Sequence, residues 1–173
     1  MELTTKRLTL RPIGPQDAES AHRYAGDPAI TKYMIFLPAD SLEETKRDVR
    51  RASDEWKKDF PAFYEFAVLL KGRHIGGVSV YLNQARTEGE LGWIFLKETW
   101  GKGYATEAAV AVMEFAVKTL GVKRIVAHCD AENAASARVM EKLGLTLEDG
   151  TGLRINRSAK PQSRELLFSF TVE

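Results

Sequence analysis

The sequence predicts a mixed α/β domain in which antiparallel strands come first and a single β–α–β unit follows. In the first half, Arg7–Arg11 alternates between polar and apolar residues, and three further strand-like runs follow between Phe63 and Leu96. After Leu96 the apolar residues recur at helical spacing instead. The 173 residues fit the ~100–200 residues of one domain, so we predict a single domain over residues 1–173.

Composition and charge exclude several classes of protein. The 25 basic and 24 acidic side chains leave a net charge of +1, which argues against a general nucleic-acid binder. No apolar run approaches the ~18 residues of a membrane span, and no apolar leader follows Met1. We therefore expect a cytoplasmic protein without a membrane or nucleic-acid partner.

The cysteine and histidines predict no metal site. Cys129 is the sole cysteine, which excludes an intramolecular disulfide and a cysteine zinc cluster, and it is expected to be a buried small apolar residue. His22, His74 and His128 lack metal-ligand spacing and have no carboxylate at a recognisable interval.

The first half of the chain is predicted to hold four strands and two helices. Ser41 and Glu44 form a capping-box pattern that begins the second helix, and Lys71-Gly72-Arg73 is typical of a hairpin turn. The predicted elements are a strand at Arg7–Arg11, a helix from Pro15 towards Tyr24, a helix at Leu42–Trp56, and strands at Phe63–Leu70, His74–Leu82 and Glu88–Leu96.

The second half is predicted to begin with a long helix that ends at Gly121. After it we expect a strand at Val122–His128, a helix at Asn133–Leu143, extended chain at Leu145–Leu147, a loop at Gly150–Gln162 and a final strand at Glu165–Val172.

The junction between the last meander strand and the long helix is the most informative segment. Glycines at 101 and 103 allow positive φ and a close approach of a ligand to the backbone. The first N–H groups of a helix lack helical partners and carry about +0.5 charge, so a pyrophosphate fits there. Lys102 could add a positive charge at the rim. An ordinary strand-to-helix connection is the plain alternative.

Two other nucleotide-binding motifs match less well. A P-loop fails because Lys102 stands between the glycines and no Ser or Thr follows it. A dinucleotide fingerprint has Thr106 in place of its third glycine, although Asp130 ends the next strand as a ribose-binding acid does. A doubly wound sheet also needs several βαβ units, and this chain offers one.

The chain resembles the GNAT N-acetyltransferase superfamily, in particular its RimJ/RimL-like branch of ribosomal-protein alanine acetyltransferases. The similarity covers nearly the whole chain in order. The residues that carry it are Gly101-Lys102-Gly103-Tyr104-Ala105-Thr106-Glu107-Ala108, Asn133-Ala134-Ala135-Ser136, Glu141-Lys142-Leu143-Gly144-Leu145, Arg7-Leu8-Thr9-Leu10-Arg11-Pro12 and Ser163-Arg164-Glu165-Leu166-Leu167-Phe168.

The resemblance implies a fold and a co-substrate. The fold is a central, mostly antiparallel sheet of about seven strands flanked by about four helices. Acetyl-CoA is the implied acetyl donor. Its pyrophosphate would lie on the backbone of residues 101–106, that is Gly101, Lys102, Gly103, Tyr104, Ala105 and Thr106, and its pantetheine arm would pair with Trp93, Ile94 and Phe95. Trp100 stands where related proteins often have Gln or Arg, so it either covers the adenine side or packs.

The same resemblance suggests residues for the chemistry. Asn133 would contact the CoA arm, or else only cap its helix, and Ser136 would donate a proton to the departing thiolate. Met140 occupies the position of a tyrosine acid in many members, with Tyr104 as a distant substitute. Glu90 is the candidate general base or ammonium anchor, and Glu65 is a weaker rival; both are otherwise ordinary strand carboxylates.

The sequence thus predicts an acetyl-CoA-dependent N-acetyltransferase that acts by direct transfer to a primary amine. The acceptor would be a protein N-terminal amine or a small amine or amino-acid-like molecule, and the groove for it would run past Tyr33 and the Leu37-Pro38 loop. Three matters stay open: a noncatalytic acyl-CoA-binding module, a nicotinamide-dependent enzyme, and a homodimer, which relatives in this branch often form.

Overall fold

One eight-stranded sheet organises the molecule. The computed structural model describes residues 1–158 and 162–172. The strands are β1 (Leu3–Thr4), β2 (Leu8–Pro12), β3 (Phe63–Leu70), β4 (Arg73–Leu82), β5 (Glu88–Phe95), β6 (Arg124–Asp130), β7 (Thr146–Arg154) and β8 (Ser163–Thr171). Their order across the sheet is β1-β2-β3-β4-β5-β6-β8-β7. In these residues the α-helices are α1 (Ala18–Ala25), α2 (Leu42–Glu55), α3 (Tyr104–Lys118) and α4 (Ala134–Lys142).

Strands β3 to β5 form the predicted antiparallel meander, and β2 pairs antiparallel with β3. The turn between β3 and β4 has only Lys71 and Gly72, with φ of 49° and 79°. Positive φ at both central residues gives the turn the twist of the flanking strands. The turn prediction is confirmed, as is the meander.

The predicted β–α–β unit is β5–α3–β6, and its two strands are parallel. Their pairing is short, because Glu88, Gly89 and Glu90 alone pair with residues 124–126 of β6. Beyond this point β5 remains paired with β4, and β6 with β8. The two parallel strands therefore separate towards their carboxyl ends.

Each face of the sheet carries its own apolar core. One core packs α3 and α4 against the sheet and is centred on Phe66, Val112 and Ile125, all 0% exposed. The other packs α1 and α2 against the opposite face, with Ala67 at 0% and Ala52 at 2% exposure. Because side chains alternate along a strand, neighbours such as Phe66 and Ala67 belong to different cores.

Two element predictions need correction. The segment predicted as a loop at Gly150–Gln162 continues β7 as far as Arg154, and positions 159–161 lie outside the described residues. The register of β7 shifts twice between Leu147 and Gly152. A side chain at Gly152 would meet Glu165 Cβ at 3.2 Å, so this glycine serves a bulged strand rather than a turn. An eighth strand, β1, has only two residues.

Most helices begin or end near the capping residues that the sequence predicted. Ser41 Oγ accepts a hydrogen bond from the Glu44 amide at the start of α2, and Glu44 in turn accepts from the Asp40 amide. Helix α3 ends at Lys118, three residues before Gly121, whose φ is 73°. In the described part of the chain no helix is long and apolar enough to cross a membrane.

Candidate active site

A gap opens between β5 and β6 where their pairing stops. In the β4–β5 ladder, the Leu96 amide donates to Ile75 O and the Asn83 amide to Glu88 O. Hydrogen-bonded pairs alternate along an antiparallel ladder, so the odd-numbered residues of β5 turn their N–H and C=O groups away from β4. Leu91, Trp93 and Phe95 thus present their backbone to the gap.

The opposite edge of the gap belongs to β6. Residues 127–130 of β6 pair with β8 on one side, and no described strand pairs with them on the other. Two unpaired backbone edges facing one another are unsatisfied unless water or an extended ligand enters. An extended chain with amide groups fits such a gap as an added strand.

The strand-to-helix turn lies at the carboxyl end of β5, next to this gap. Gly101 and Gly103 have φ of 73° and 78°, the left-handed region that favours glycine. A Cβ placed at Gly101 would meet nothing within 4 Å. The turn is therefore exposed, and its backbone is open to close approach.

Free amides follow directly at the start of α3. The first helical hydrogen bond runs from the Glu107 amide to Gly103 O, and no side chain caps the helix. The amides of Tyr104, Ala105 and Thr106 have no acceptor among the described residues. Three free N–H groups and the positive end of the helix dipole together suit a phosphate group.

An arginine from the start of the chain lies beside this turn. The Arg7 guanidinium donates to Lys102 O at 3.0 Å, pairs with Glu107 at 2.6 Å and lies 4.5 Å from the centre of the Tyr104 ring. The sequence predicted Arg7 only as part of the strand motif Arg7–Pro12, with no role at the turn. Lys102 behaves differently from expectation, because its ammonium donates to Glu98 O rather than extending from the rim.

Trp100 is anchored at the mouth of the gap. Its indole Nε1–H donates to Phe95 O at 2.9 Å, while 49% of the residue stays exposed. The hydrogen bond satisfies the last carbonyl of β5, and the exposed ring face remains available to a flat ligand group. Both expected roles, packing and covering, are compatible with this placement.

Helix α4 begins at the carboxyl end of β6, on the other side of the gap. Asn133 Oδ1 accepts from the Ser136 amide at 3.2 Å, so Asn133 is the N-cap. The Ser136 side chain is partly exposed and its hydroxyl has no partner among the described residues.

Met140, one turn further, is 1% exposed and packs in the core. Asp130 is 2% exposed and accepts from Asn156 and Ser163, which fixes the strand end.

Glu90 and His128 form a pair at the closed end of the gap. His128 Nδ1 lies 2.9 Å from Glu90 Oε1 across β5 and β6. The hydrogen bond and the carboxylate charge raise the pKa of His128 above its usual value. His128 Nε2 has no partner in the described part of the chain. No local sequence pattern joins the two residues, which are 38 positions apart, so sequence spacing could not reveal the pair.

More titratable groups lie on the same face of the sheet as Glu90. Burial raises the pKa of Glu65 to about 7. Burial and the nearby Glu65 carboxyl raise the pKa of Tyr81 to about 12. The Tyr81 ring stacks on Phe63 at a centroid distance of 5.0 Å. This face is also bordered by the loop between α1 and α2, where Arg154 donates to Tyr33 O at 2.7 Å.

The structure thus brings most of the predicted site residues to one edge. Because β5 and β6 are parallel, their carboxyl ends and the two helix N-termini that follow lie together, where ligands bind in such sheets. Ile94 is the exception among the predicted site residues, because its backbone pairs with Gly77 of β4 and does not face the gap. Its side chain packs with the core of α1 and α2. Cys129 is buried as expected, and burial raises the pKa of its thiol to about 11.

Comparisons with known proteins identify the family. The acetyltransferase (GNAT) domain family matches residues 7–146. The uncharacterized N-acetyltransferase YnaD of Bacillus subtilis (strain 168) is 32% identical over 151 residues, 86% of this chain and 84% of that protein. The crystal structure of a GNAT-family acetyltransferase from Bacillus anthracis has a TM-score of 0.83 at 28% identity and covers 99% of this chain and 98% of that one.

A third comparison concerns the fold. The ribosomal L7/L12 α-N-protein acetyltransferase RimL, in a structure with coenzyme A, has a TM-score of 0.84 at 16% identity and covers 99% of this chain and 98% of that one. The chain belongs to the GNAT family and is an N-acetyltransferase.

Proposed function

We propose that this N-acetyltransferase moves the acetyl group of acetyl-CoA directly to a primary amine held on the Glu90 face of the sheet. One observation carries the proposal. The free amides of α3, the unpaired edge of β5 and the Glu90–His128 pair all border the gap between β5 and β6, so a thioester and an amine can meet in one complex.

The donor would be held by backbone groups. The amides of Tyr104, Ala105 and Thr106 bind the pyrophosphate, and Arg7 adds a guanidinium beside them. The amide-bearing pantetheine arm enters the gap and pairs with the backbone of Leu91 and Trp93. In this proposal the thioester would lie between the end of β5 and the first turn of α4.

The acceptor must lose a proton to become a nucleophile. A lysine-like amine costs about 4–5 kcal/mol to deprotonate at pH 7, and an N-terminal α-amine only about 1 kcal/mol. His128 Nε2 accepts this proton, while Glu90 holds Nδ1–H and stabilises the imidazolium that forms. Glu90 is thus a positioning residue in this scheme, and His128 is the base.

The amine nitrogen then attacks the thioester carbonyl and becomes positively charged. It releases this second proton to solvent, and the C–S bond breaks as the tetrahedral intermediate collapses. The thiolate that leaves takes a proton from the Ser136 hydroxyl, which recovers one from solvent. Direct transfer needs no covalent acyl-enzyme, and the buried Cys129 is unsuited to form one.

Measurement of thiol release from acetyl-CoA with a panel of amines and N-terminal peptides tests the proposal. We expect release that depends on an acceptor and yields the N-acetyl product by mass spectrometry. Calorimetry with CoA provides the second readout. Binding of CoA without acceptor-dependent release would favour a noncatalytic acyl-CoA module, and binding of NAD(H) in place of CoA would favour the nicotinamide alternative.

A further inference from the structure

Glu65 is a carboxyl group that the proposed reaction leaves unused. It lies on β3, on the face that carries α1 and α2, and is partly exposed. Its side chain makes no hydrogen bond or ion pair with a described residue. Every fully buried side-chain nitrogen or oxygen atom in the described part of the chain has a hydrogen-bond partner. Because the Glu65 carboxyl oxygens have none, they are not fully buried and reach accessible space. A desolvated carboxyl without a partner is unfavourable unless a ligand supplies one.

Glu65 lies on the same row across the sheet as residues of β4 and β5 that border the proposed acetyl-transfer site. Glu65 is in register with Ser79 of β4, and Ser79 with Gly92 of β5. A Cβ at Gly92 would come within 3.1 Å of Ser79 Oγ, and one at Gly77 within 3.9 Å of Glu65 Oε1. Ser79 is small and Gly92 has no side chain, so no large side chain of this row stands between the Glu65 carboxyl and the gap.

The groups that face Glu65 favour a cation. Helix α2 contributes Asp48 and Arg51, whose charges act on Glu65 in opposite directions. Strands β4 and β5 contribute Tyr81 and Glu90, and helix α1 contributes Tyr24, whose hydroxyl lies 3.5 Å from the Cβ position of Gly77. Both tyrosine pKa values lie above normal because of burial, so these phenols are neutral hydrogen-bond donors. Carboxylates thus outnumber the single guanidinium.

We infer that Glu65 is an ammonium-binding subsite and that the acceptor is a small diamine, one amine being acetylated beside Glu90 while the other remains charged on Glu65. This inference rests on the proposed function. Strands two positions apart are separated by ~10 Å, and two residues along a strand by ~7 Å, so the two Cα atoms lie ~12 Å apart. The Glu65 and Glu90 side chains extend into the space between these Cα atoms, so the two amines of the acceptor would be about 6–10 Å apart.

A matched pair of acceptors tests the subsite. The measurement is the ratio of kcat/KM for 1,5-diaminopentane to that for pentylamine, by thiol release. With kcat/KM counted per amine, we expect the wild-type ratio to exceed about 10 and to fall to about 1 in Glu65→Gln, because the charge-assisted contact is made by the diamine alone. Glu114→Gln, on the exposed surface of α3, is the control and should keep the wild-type ratio. A ratio near 1 in the wild type, or equal loss of both rates in Glu65→Gln, overturns the inference.

A binding experiment separates this inference from the proposed function. Calorimetry of 1,5-diaminopentane with the CoA-bound protein at pH 7 requires no catalysis. With the pKa of Glu65 at about 7, diamine binding should release about half a proton more in the wild type than in Glu65→Gln, as read from two buffers of different ionisation enthalpy. Absence of diamine binding overturns the subsite, whereas binding without thiol release in any assay contradicts the transferase proposal alone.

Discussion

His128 Nδ1 and Glu90 Oε1 are 2.9 Å apart at the point where β5 and β6 cease to pair. The parallel register sets Glu90 opposite Val126, and His128 follows two residues later on the same face. The carboxylate therefore fixes which imidazole nitrogen carries hydrogen and leaves Nε2 free at the closed end of the gap.

The pair predicts a specific change in the pH profile of Glu90→Gln. A base must be neutral, so kcat/KM should fall below the raised pKa of His128. Removal of the Glu90 charge lowers that pKa, and the acidic limb should move to lower pH while the plateau drops about 10-fold through lost orientation. His128→Gln should lose the limb and about 10²-fold in rate.

The profile should be measured with an acceptor peptide whose α-amine has a known pKa, so that its own ionisation can be subtracted. A limb that stays in place in Glu90→Gln would show that His128 does not accept the proton.

Ser136→Ala should lower kcat about 10-fold and leave the Kd for CoA within about twofold, since a proton donor to the leaving group acts only in the chemical step. Ser136→Thr retains the hydroxyl and should recover much of the rate. Steady-state thiol release gives kcat, and calorimetry gives Kd. If the alanine and threonine variants turn over equally, the hydroxyl plays no part.

The strands and turns of the fold could be predicted because the residues that specify them are neighbours in the sequence. Strand-like runs predicted β3, β4 and β5, and Lys71-Gly72 predicted the turn between the first two. The loop predicted from Gly150 is wrong as far as Arg154, because a bulge and a turn both favour glycine and only the pairing with β8 distinguishes them.

The candidate site was predicted only where its residues adjoin in sequence. Gly101 to Thr106 and Asn133 to Ser136 are continuous segments that a motif can reveal. Arg7 reaches Lys102 across 95 positions and His128 reaches Glu90 across 38. Such contacts depend on which strands become neighbours, which the spacing of residues along the chain does not specify.

Gly101→Ala should weaken CoA binding beyond its effect on stability. Its φ of 73° imposes a left-handed strain of about 1 kcal/mol on alanine, and the added methyl group projects into the open space at the turn. We expect the Kd for CoA to rise at least 10-fold.

Gly72→Ala supplies the matched control, because Gly72 has φ of 79° and equally open space in a distant turn. It should lose similar stability in urea unfolding and keep the wild-type Kd. Equal CoA affinity in both variants would remove the turn from the donor site.

Asp17→Asn should destabilise the protein by about 2 kcal/mol at pH 7. Asp17 is 3% exposed and holds Arg11 through two hydrogen bonds of 2.7 and 2.8 Å. Burial opposes its ionisation, but the Arg11 guanidinium and the Gly14 amide outweigh it and keep the pKa of Asp17 below normal. A depressed carboxyl pKa contributes stability above about pH 4 that is lost as pH falls through the folded value.

Urea unfolding at pH 7 and at pH 3 therefore gives the decisive comparison. The difference in unfolding free energy between the wild type and Asp17→Asn should be full at pH 7 and shrink at pH 3, as the wild-type carboxyl takes up its proton. Asp54→Asn removes an exposed ion pair with Lys57 and should change stability little at either pH. A difference that is the same at both pH values would show that Asp17 acts through packing and not through its charge.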